Sequence, residues 1–427
     1  MIWLYRILFP FVLLIASPFY LRRMVKRGGY RRNFGHRFGK ILNLPEKQPG
    51  VKRVWLQAVS VGEVLAIGPL LEKLTASDKV EIYLTTTTST GYKLARDTYG
   101  KFTVGIGYFP IDFVPFSARA WRAIQPDLVL LMEGERWPEH LAQATRRGVP
   151  VIAINARLSD RSFERMQRVS FLIPALFGSP QKILACSEND ARRFRELGFE
   201  SNRIVTTGNI KLDLTIPLLS PEQKEKLRTE LGLIRGGMIL LGSSTWAGEE
   251  VGLIQVLKAA RSRGLNVSLL LVPRHAERRE EIVGILAKSG LRYHLRSNGA
   301  APGAVDIAVG DTTGELRKFT QLADLVFCGK SLAPHNGGQT PVEAAALGRP
   351  ILFGPFMTNF KEISRSLLDG GAAREVLNHS ELVAAGVELL TNPADREKMA
   401  EAARKWHKTN QGATERTLAV ISEVLRG

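Results

Sequence analysis

The sequence predicts an α/β protein of two Rossmann-like domains facing a central cleft, behind an N-terminal membrane-anchor helix. Three observations predict it. Short apolar runs alternate with helical patterns from Val51 onward. The alternation starts afresh after a polar, proline-containing stretch at Asp213 to Glu222. An apolar segment at the amino terminus is followed at once by basic residues. A chain of 427 residues exceeds one typical core and suits two domains of about 200 residues each. The boundaries read as 1–40 for the anchor and its basic flank, 41–215 for the first domain and 216–427 for the second.

Ile2 to Leu21 is nearly all apolar, with Arg6 its single charge and with Pro10 and Pro18 inside it. The uninterrupted run from Ile7 to Tyr20 falls short of the roughly 20 residues of a spanning helix. A single span and an in-plane anchor are both compatible with it. The formal net charge is +18, and nine Lys/Arg residues, with no acid, lie between Met1 and Lys40. Basic residues after an apolar run hold that flank on the cytoplasmic side and attract anionic membrane phospholipid. A cleaved signal peptide carries its charge ahead of the run instead. A nucleic-acid binder spreads its basic face through a folded domain, so no nucleic-acid partner is expected. The two cysteines, Cys186 and Cys328, stand far apart without a further ligand at metal spacing. They suit a reducing compartment, with neither disulfide nor zinc.

In the first domain, strands are expected at Arg53–Val59, Val80–Thr85, Phe102–Phe109, Asp127–Met132, Val149–Ile154, Lys182–Ala185 and Ile204–Thr206. Helices such as Glu63–Thr75 and Pro138–Arg147 separate them. Continuously apolar runs such as 128–131 mark parallel strands covered on both faces. In the second domain, Met238–Leu241, Val267–Val272, Arg292–Leu295, Val305–Val309, Leu325–Cys328 and Pro350–Phe353 read as strands. From Ser380 the chain is helical. Open α/β sheets bind ligands beyond the carboxyl ends of their strands, which directs attention to the residues there.

The first strand ends in Ser60-Val61-Gly62-Glu63. An acid in a first helical turn is stabilised as the anion and, ionised, accepts a proton from a hydroxyl. From spacing alone, its commoner meaning is an ordinary helix acid. Glu133 directly follows five apolar residues, beside Glu135 and Arg136, which read as capping or solvated charges. Lys211, in Gly208-Asn209-Ile210-Lys211, is equally a surface lysine or a cation for phosphate or developing negative charge. In the second domain, Gly242-Ser243-Ser244-Thr245 has the composition of a phosphate-cradling turn. Pro273-Arg274-His275 puts a cation at a strand end, where Arg suits bidentate contact with phosphate. Asp311-Thr312-Thr313-Gly314-Glu315 joins strand to helix. Asn336-Gly337-Gly338-Gln339-Thr340-Pro341-Val342-Glu343 offers paired glycines whose amides face a ligand, then a carboxylate on a first helical turn able to accept both ribose hydroxyls. The chain has no Walker loop, no His-Glu-x-x-His, no Gly-x-Ser-x-Gly and no clear Asp-x-Asp pair. Metal-independent chemistry without a cofactor fits what is left.

These segments, with Trp55 to Glu63, Thr85 to Gly91, Met132 to Pro138 and Asn155 to Ser159, resemble the 3-deoxy-D-manno-octulosonate (Kdo) transferases, which have the GT-B fold. The resemblance runs from the anchor through about residue 365. It implies a CMP-Kdo donor, a lipid A precursor as acceptor at a glucosamine 6-hydroxyl, and an inverting displacement that releases CMP at the inner membrane. By that resemblance Glu63 is the general base, and Glu133 and Lys211 stabilise the transition state. Pro273, Arg274, Thr313, Gly314, Glu315, Thr340, Pro341, Val342 and Glu343 match the CMP-binding positions. Two positions depart: Gln339 and Thr340 stand where the family commonly has His and Asn, so that at Thr340 a hydroxyl replaces an amide. Two other readings remain open, a GT-B transferase of a UDP-sugar to a lipid and a non-catalytic, membrane-bound sugar-nucleotide binder.

Overall fold

Parallel strands need crossover connections, and this chain supplies two series of them. The computed structural model describes residues 2–27, 33–42, 44–77, 79–134, 137–170, 173, 180–214 and 216–426. It divides into one unit of Met1–Asp213 with Asn410–Gly427, and a second unit of Leu214–Thr409.

The first unit holds β1 (Lys52–Gln57), β2 (Val80–Thr86), β3 (Gly105–Tyr108), β4 (Leu128–Met132), β5 (Val151–Ala156), β6 (Lys182–Ala185) and β7 (Ile204–Thr206). They form one parallel sheet in the order β3-β2-β1-β4-β5-β6-β7. Successive strand residues point to opposite faces, and both faces are covered. Val54, Leu56, Leu128 and Leu130 pack in one apolar cluster. Trp55, Val129 and Leu131 pack in another across the sheet, with Trp121 and Phe109. The strand order reverses between β1 and β4, where ligands of doubly wound sheets bind.

The second unit repeats the plan. Its strands are β8 (Met238–Thr245), β9 (Val267–Pro273), β10 (Tyr293–Leu295), β11 (Ile307–Val309), β12 (Leu325–Cys328), β13 (Ile351–Phe353) and β14 (Ala373–Glu375). The order is β10-β11-β9-β8-β12-β13-β14, all parallel, with the reversal between β8 and β12. The two-domain α/β expectation holds, with differences in detail. The expected helix Glu63–Thr75 is two helices, Val61–Ala66 and Gly68–Leu74, because Pro69 opens a new first turn. Strand β14 was not foreseen; with Arg374 and Glu375 it lacks an apolar run. The last helix, Ala413–Arg426, lies within the expected second domain 216–427 but groups with the first unit. There the Asp213 carboxylate accepts hydrogen bonds from the amides of Gly412 and Thr414, and Ile421 enters the core beside Val54.

The amino-terminal helix, Ile2–Arg27, runs through both Pro10 and Pro18. Its Ile2–Arg22 portion is long and apolar enough to cross a membrane. One side of the helix meets the first unit. Tyr5 Oη donates to Asp112 Oδ2 at 2.7 Å, Arg6 binds both oxygens of Glu139 at 2.7 and 3.2 Å, and Met24 is buried. The other side exposes Trp3, Ile7, Phe11, Leu14, Ile15 and Phe19. Glu139 is fully buried, and its further side-chain partner among the described residues is the Gln143 amide at 2.6 Å. Removing Arg6 therefore strands a buried charge. Arg6→Ala is expected to cost about 3 kcal/mol in chemical denaturation, the low end for a broken buried pair because Arg6 keeps some exposure. Adding Glu139→Gln should recover most of that loss.

Candidate active site

Glu63, Glu133 and Lys211 come together at the carboxyl ends of β1, β4 and β7. Each is placed by local backbone. Ser60, extended at φ −120°, is the N-cap of helix Val61–Ala66 and accepts from the Glu63 amide. The Glu63 side chain turns back in reply. Its Oε1 accepts from Ser60 Oγ at 2.9 Å and its Oε2 from the Val59 amide at 2.8 Å. This is the reciprocal cap of a Ser-x-x-Glu sequence, with the acid reaching one residue further back than usual. The ordinary meaning of the residue, a helix acid, is thus realised. The group is nevertheless unusual for a capping acid: it is only 7% exposed.

Burial raises the Glu63 carboxyl above the ordinary carboxylate range. The Val59 amide opposes that shift, the neighbouring Glu133 charge adds to it, and Ser60 and Lys211 oppose it. The expectation of a simple helix-stabilised anion is corrected accordingly, since desolvation outweighs the helix terminus. Two lone-pair directions on each carboxylate oxygen leave acceptor capacity beyond the two capping bonds.

Glu133 sits at φ +58°, in the left-handed region a non-glycine residue enters at a cost of about 1 kcal/mol or more. The Glu133 amide donates to the Ile154 carbonyl at 2.9 Å, which fixes the turn after β4. Its carboxylate pairs with the Lys211 ammonium. Lys211 is held in a short turn in which its own amide donates to Asn209 Oδ1 at 3.0 Å. Asn155, fully buried at φ +50°, receives the Ile210 amide at 2.9 Å and ties that turn to β5. Glu135 and Arg136 lie outside the described residues. Nearby, the buried Arg37 stacks over the Tyr108 ring and donates to the Thr87 carbonyl, bracing the threonine-rich turn after β2.

In the second unit the proposed nucleotide positions lie at several strand ends. Pro273 closes β9, and the Arg274 amide donates to Thr245 O at 3.1 Å. The Arg274 side chain is exposed, with no carboxylate partner among the described residues. Thr313 and Gly314 (φ +89°) are exposed after β11. Glu315 is engaged, by Thr312 Oγ1 at 2.5 Å and by Arg296 at 3.3 and 3.4 Å. Burial pushes its carboxyl up, but the Thr312 hydroxyl and the Arg296 cation prevail and hold it below its ordinary value. Thr340 Oγ1 accepts from the Val342 amide at 3.3 Å. Pro341 and Val342 are buried, and Glu343 stands on the first turn of Val342–Ala346 as expected. Burial raises the Glu343 carboxyl, with Arg317 3.8 Å away. Among the described residues, no hydrogen bond or ion pair joins the 273–274, 313–315 and 340–343 segments.

Two expectations are corrected here. The amides of Gly337 and Gly338 do not face a ligand; they donate to Phe356 O and Lys330 O at 2.9 and 3.0 Å. The glycines are needed for conformation and closeness, because both have positive φ and a Cβ on Gly338 would collide with the Met357 sulfur. Nor is Gly242-Ser243-Ser244-Thr245 a turn: β8 runs through Thr245, with Ser244 at φ +54° and a bulge in its pairing with β9. The turn is Trp246 to Gly248. Two residues there and after β12 escaped the sequence reading. Trp246 and Lys330 stack at the strand-order reversal, the Lys330 ammonium 4.6 Å from the ring centre. The available signal was Lys330 standing directly after Gly329 at the end of an apolar strand.

Comparison with known proteins supplies the family. Residues 32–214 match the family model of 3-deoxy-D-manno-octulosonic-acid transferase (kdotransferase). A 3-deoxy-D-manno-octulosonic acid transferase of Bordetella pertussis is 32% identical over 95% of both chains. One from Haemophilus influenzae is 31% identical over 99% of both. Among solved structures, a UDP-GlcNAc 2-epimerase from Neisseria meningitidis superposes with a TM-score of 0.59 at 15% identity, over 87% of this chain and 99% of the other. A glycosyltransferase from Rickettsia africae gives 0.59 at 14%, over 88% and 99%. At such identities the structures show the fold alone, which is GT-B. With near-complete relatives above 30% identity, the chain belongs to the 3-deoxy-D-manno-octulosonic acid transferase family and is a glycosyltransferase that transfers Kdo in lipopolysaccharide biosynthesis.

Proposed function

We propose that the protein transfers Kdo from CMP-Kdo to a glucosamine 6-hydroxyl of a lipid A precursor, by one inverting displacement with Glu63 as general base. The observation that carries this reading is the buried Glu63 carboxylate set beside the Glu133–Lys211 pair. The acceptor oxygen attacks the anomeric carbon of Kdo as the bond from that carbon to the phosphate oxygen breaks. The hydroxyl proton goes to Glu63, and the electron pair leaves on CMP. A raised carboxyl suits this role because its conjugate base is stronger than a surface carboxylate and proton transfer is better matched near neutrality. Lys211, held by Glu133, is the cation that steadies developing negative charge. Arg274 and the 313–315 and 340–343 turns hold the nucleotide, with the exposed Arg274 guanidinium suited to its phosphate.

The amino-terminal helix fits a membrane surface better than a span. Its inner stripe is spent on Asp112 and Glu139, while its outer stripe is apolar. We place it in the plane of the inner membrane, on the cytoplasmic side where its basic flank meets anionic lipid. A lipid acceptor resides there too.

Purified protein given CMP-Kdo and tetraacyl lipid A precursor, in excess EDTA, is expected to release CMP and form a Kdo-bearing lipid. UDP-sugars should yield no UDP. Glu63→Gln should lower kcat by about 10²–10⁴-fold with the fold intact; a change in unfolding midpoint without a change in kcat would mean that Glu63 only caps its helix. In a second test, Phe11→Asp with Ile15→Asp should abolish flotation with vesicles containing anionic phospholipid while leaving the unfolding midpoint of the soluble units unchanged. Retained flotation would contradict the in-plane placement.

A further inference from the structure

The second unit carries a cation that the nucleotide positions do not account for. Lys330 follows β12 and Trp246 follows β8, the two neighbours between which the strand order reverses. Doubly wound sheets take ligands at that place. Lys330 has φ +60°, a conformation glycine adopts freely and lysine does not. One buried carboxylate holds it there. Glu249, 1% exposed, accepts from the Lys330 amide at 2.9 Å, the Ser331 amide at 2.9 Å and the Trp246 amide at 2.8 Å. The turns after β8 and β12 are thereby pinned to each other.

The pinned groups both lack an anion. The Lys330 ammonium lies 4.6 Å from the Trp246 ring centre and has no carboxylate partner among the described residues. The Glu249 charge is spent on backbone amides. The Trp246 Nε1 is buried without a hydrogen-bond acceptor. Gly337, at φ +119°, lets two side-chain donors approach the backbone: a Cβ there would stand 3.4 Å from Lys330 Nζ and 2.7 Å from Asn359 Nδ2. The segment carrying Thr340 to Glu343 is tied to the same spot, since the amides of Gly338 and Gln339 donate to Lys330 O and Gly329 O, each at 3.0 Å.

We infer that Lys330 and Trp246 form a subsite for the sugar carboxylate of the donor. The inference rests on the CMP-Kdo reading above. An octulosonic acid donor has two anionic groups, a phosphodiester and a carboxylate on the same anomeric carbon. The phosphate has the exposed Arg274 fork and the nucleotide turns; the carboxylate needs a second, separate cation next to them. A lysine braced on an aromatic face meets that need as a point charge with its position fixed. It selects an acidic sugar over a neutral one.

The test is Lys330→Gly, which removes the cation and relieves the left-handed backbone, so the unfolding midpoint should not fall. The KM for CMP-Kdo is expected to rise about 10- to 100-fold, the value of a charge-assisted hydrogen bond. The inhibition constant of CMP, which lacks the carboxylate, should change by less than about twofold on the same reasoning. A parallel rise in both constants would assign Lys330 to the phosphate and overturn the subsite. An unchanged KM would overturn it as well, leaving a lysine that merely packs on Trp246. Failure of the donor reading is told apart by the wild type, which would then turn over no CMP-Kdo; the subsite falls with it.

Discussion

The carboxylate of Glu63 sits where β1 and β4 part, too buried to be an ordinary surface acid and too well hydrogen-bonded to be an abandoned one. Its charge depends on a balance. Desolvation and Glu133 disfavour the anion, while the Val59 amide, Ser60 and Lys211 favour it. The balance is a property of the sheet, because strand order brings residues 63, 133 and 211 together from three separate strand ends. It also accounts for the left-handed backbone of Glu133: the residue is held in an unfavourable conformation by the turn after β4, and its carboxylate meets Lys211.

The second sheet repeats the topology with opposite electrostatics. Where the first unit places acids at its reversal point, the second places Lys330 and Trp246 there and leaves Arg274 exposed. Its acids are occupied: Glu249 by amides, Glu315 by Arg296, Asp311 by Arg279 and Ser297. A strand-end surface where these acids are tied up while Arg274 and Lys330 have no carboxylate partner among the described residues suits an anionic ligand, and a nucleotide-linked acidic sugar is such a ligand. The family to which the chain belongs transfers a sugar of that chemistry.

Much of this was legible in the sequence. Central strands such as Leu128–Met132 are apolar without interruption, so their place in a doubly covered sheet followed from composition. The Ser60 to Glu63 segment reads as a helix opening with an acid in its first turn, and the Met132-Glu133 junction as the end of β4. What could not be read depended on partners distant in sequence. Asp213 binding residues 412 and 414 moves the last helix into the first unit, and no local pattern announces it. The Gly337-Gly338 amides were misread because the pair suggests a ligand cradle, whereas packing against Met357 and Asn359 explains the glycines. Lys330 was passed over because its φ, unlike its identity, is a product of the fold. The amino-terminal anchor was expected as a helix, and it continues through both of its prolines.

The central claim is that Glu63 acts as a base whose proton affinity is raised by burial and tuned by its two charged neighbours. The acid limb of the kcat/KM profile reads that affinity directly, and it should lie above the ordinary carboxylate range because the Glu63 pKa is raised and the working anion is lost as pH falls. Replacing Glu133 by Gln removes a like charge and should move the limb to lower pH, whereas replacing Lys211 by Ala removes the opposing charge and should move it higher. Profiles that stay in place in both variants, or shift the same way, would contradict the account.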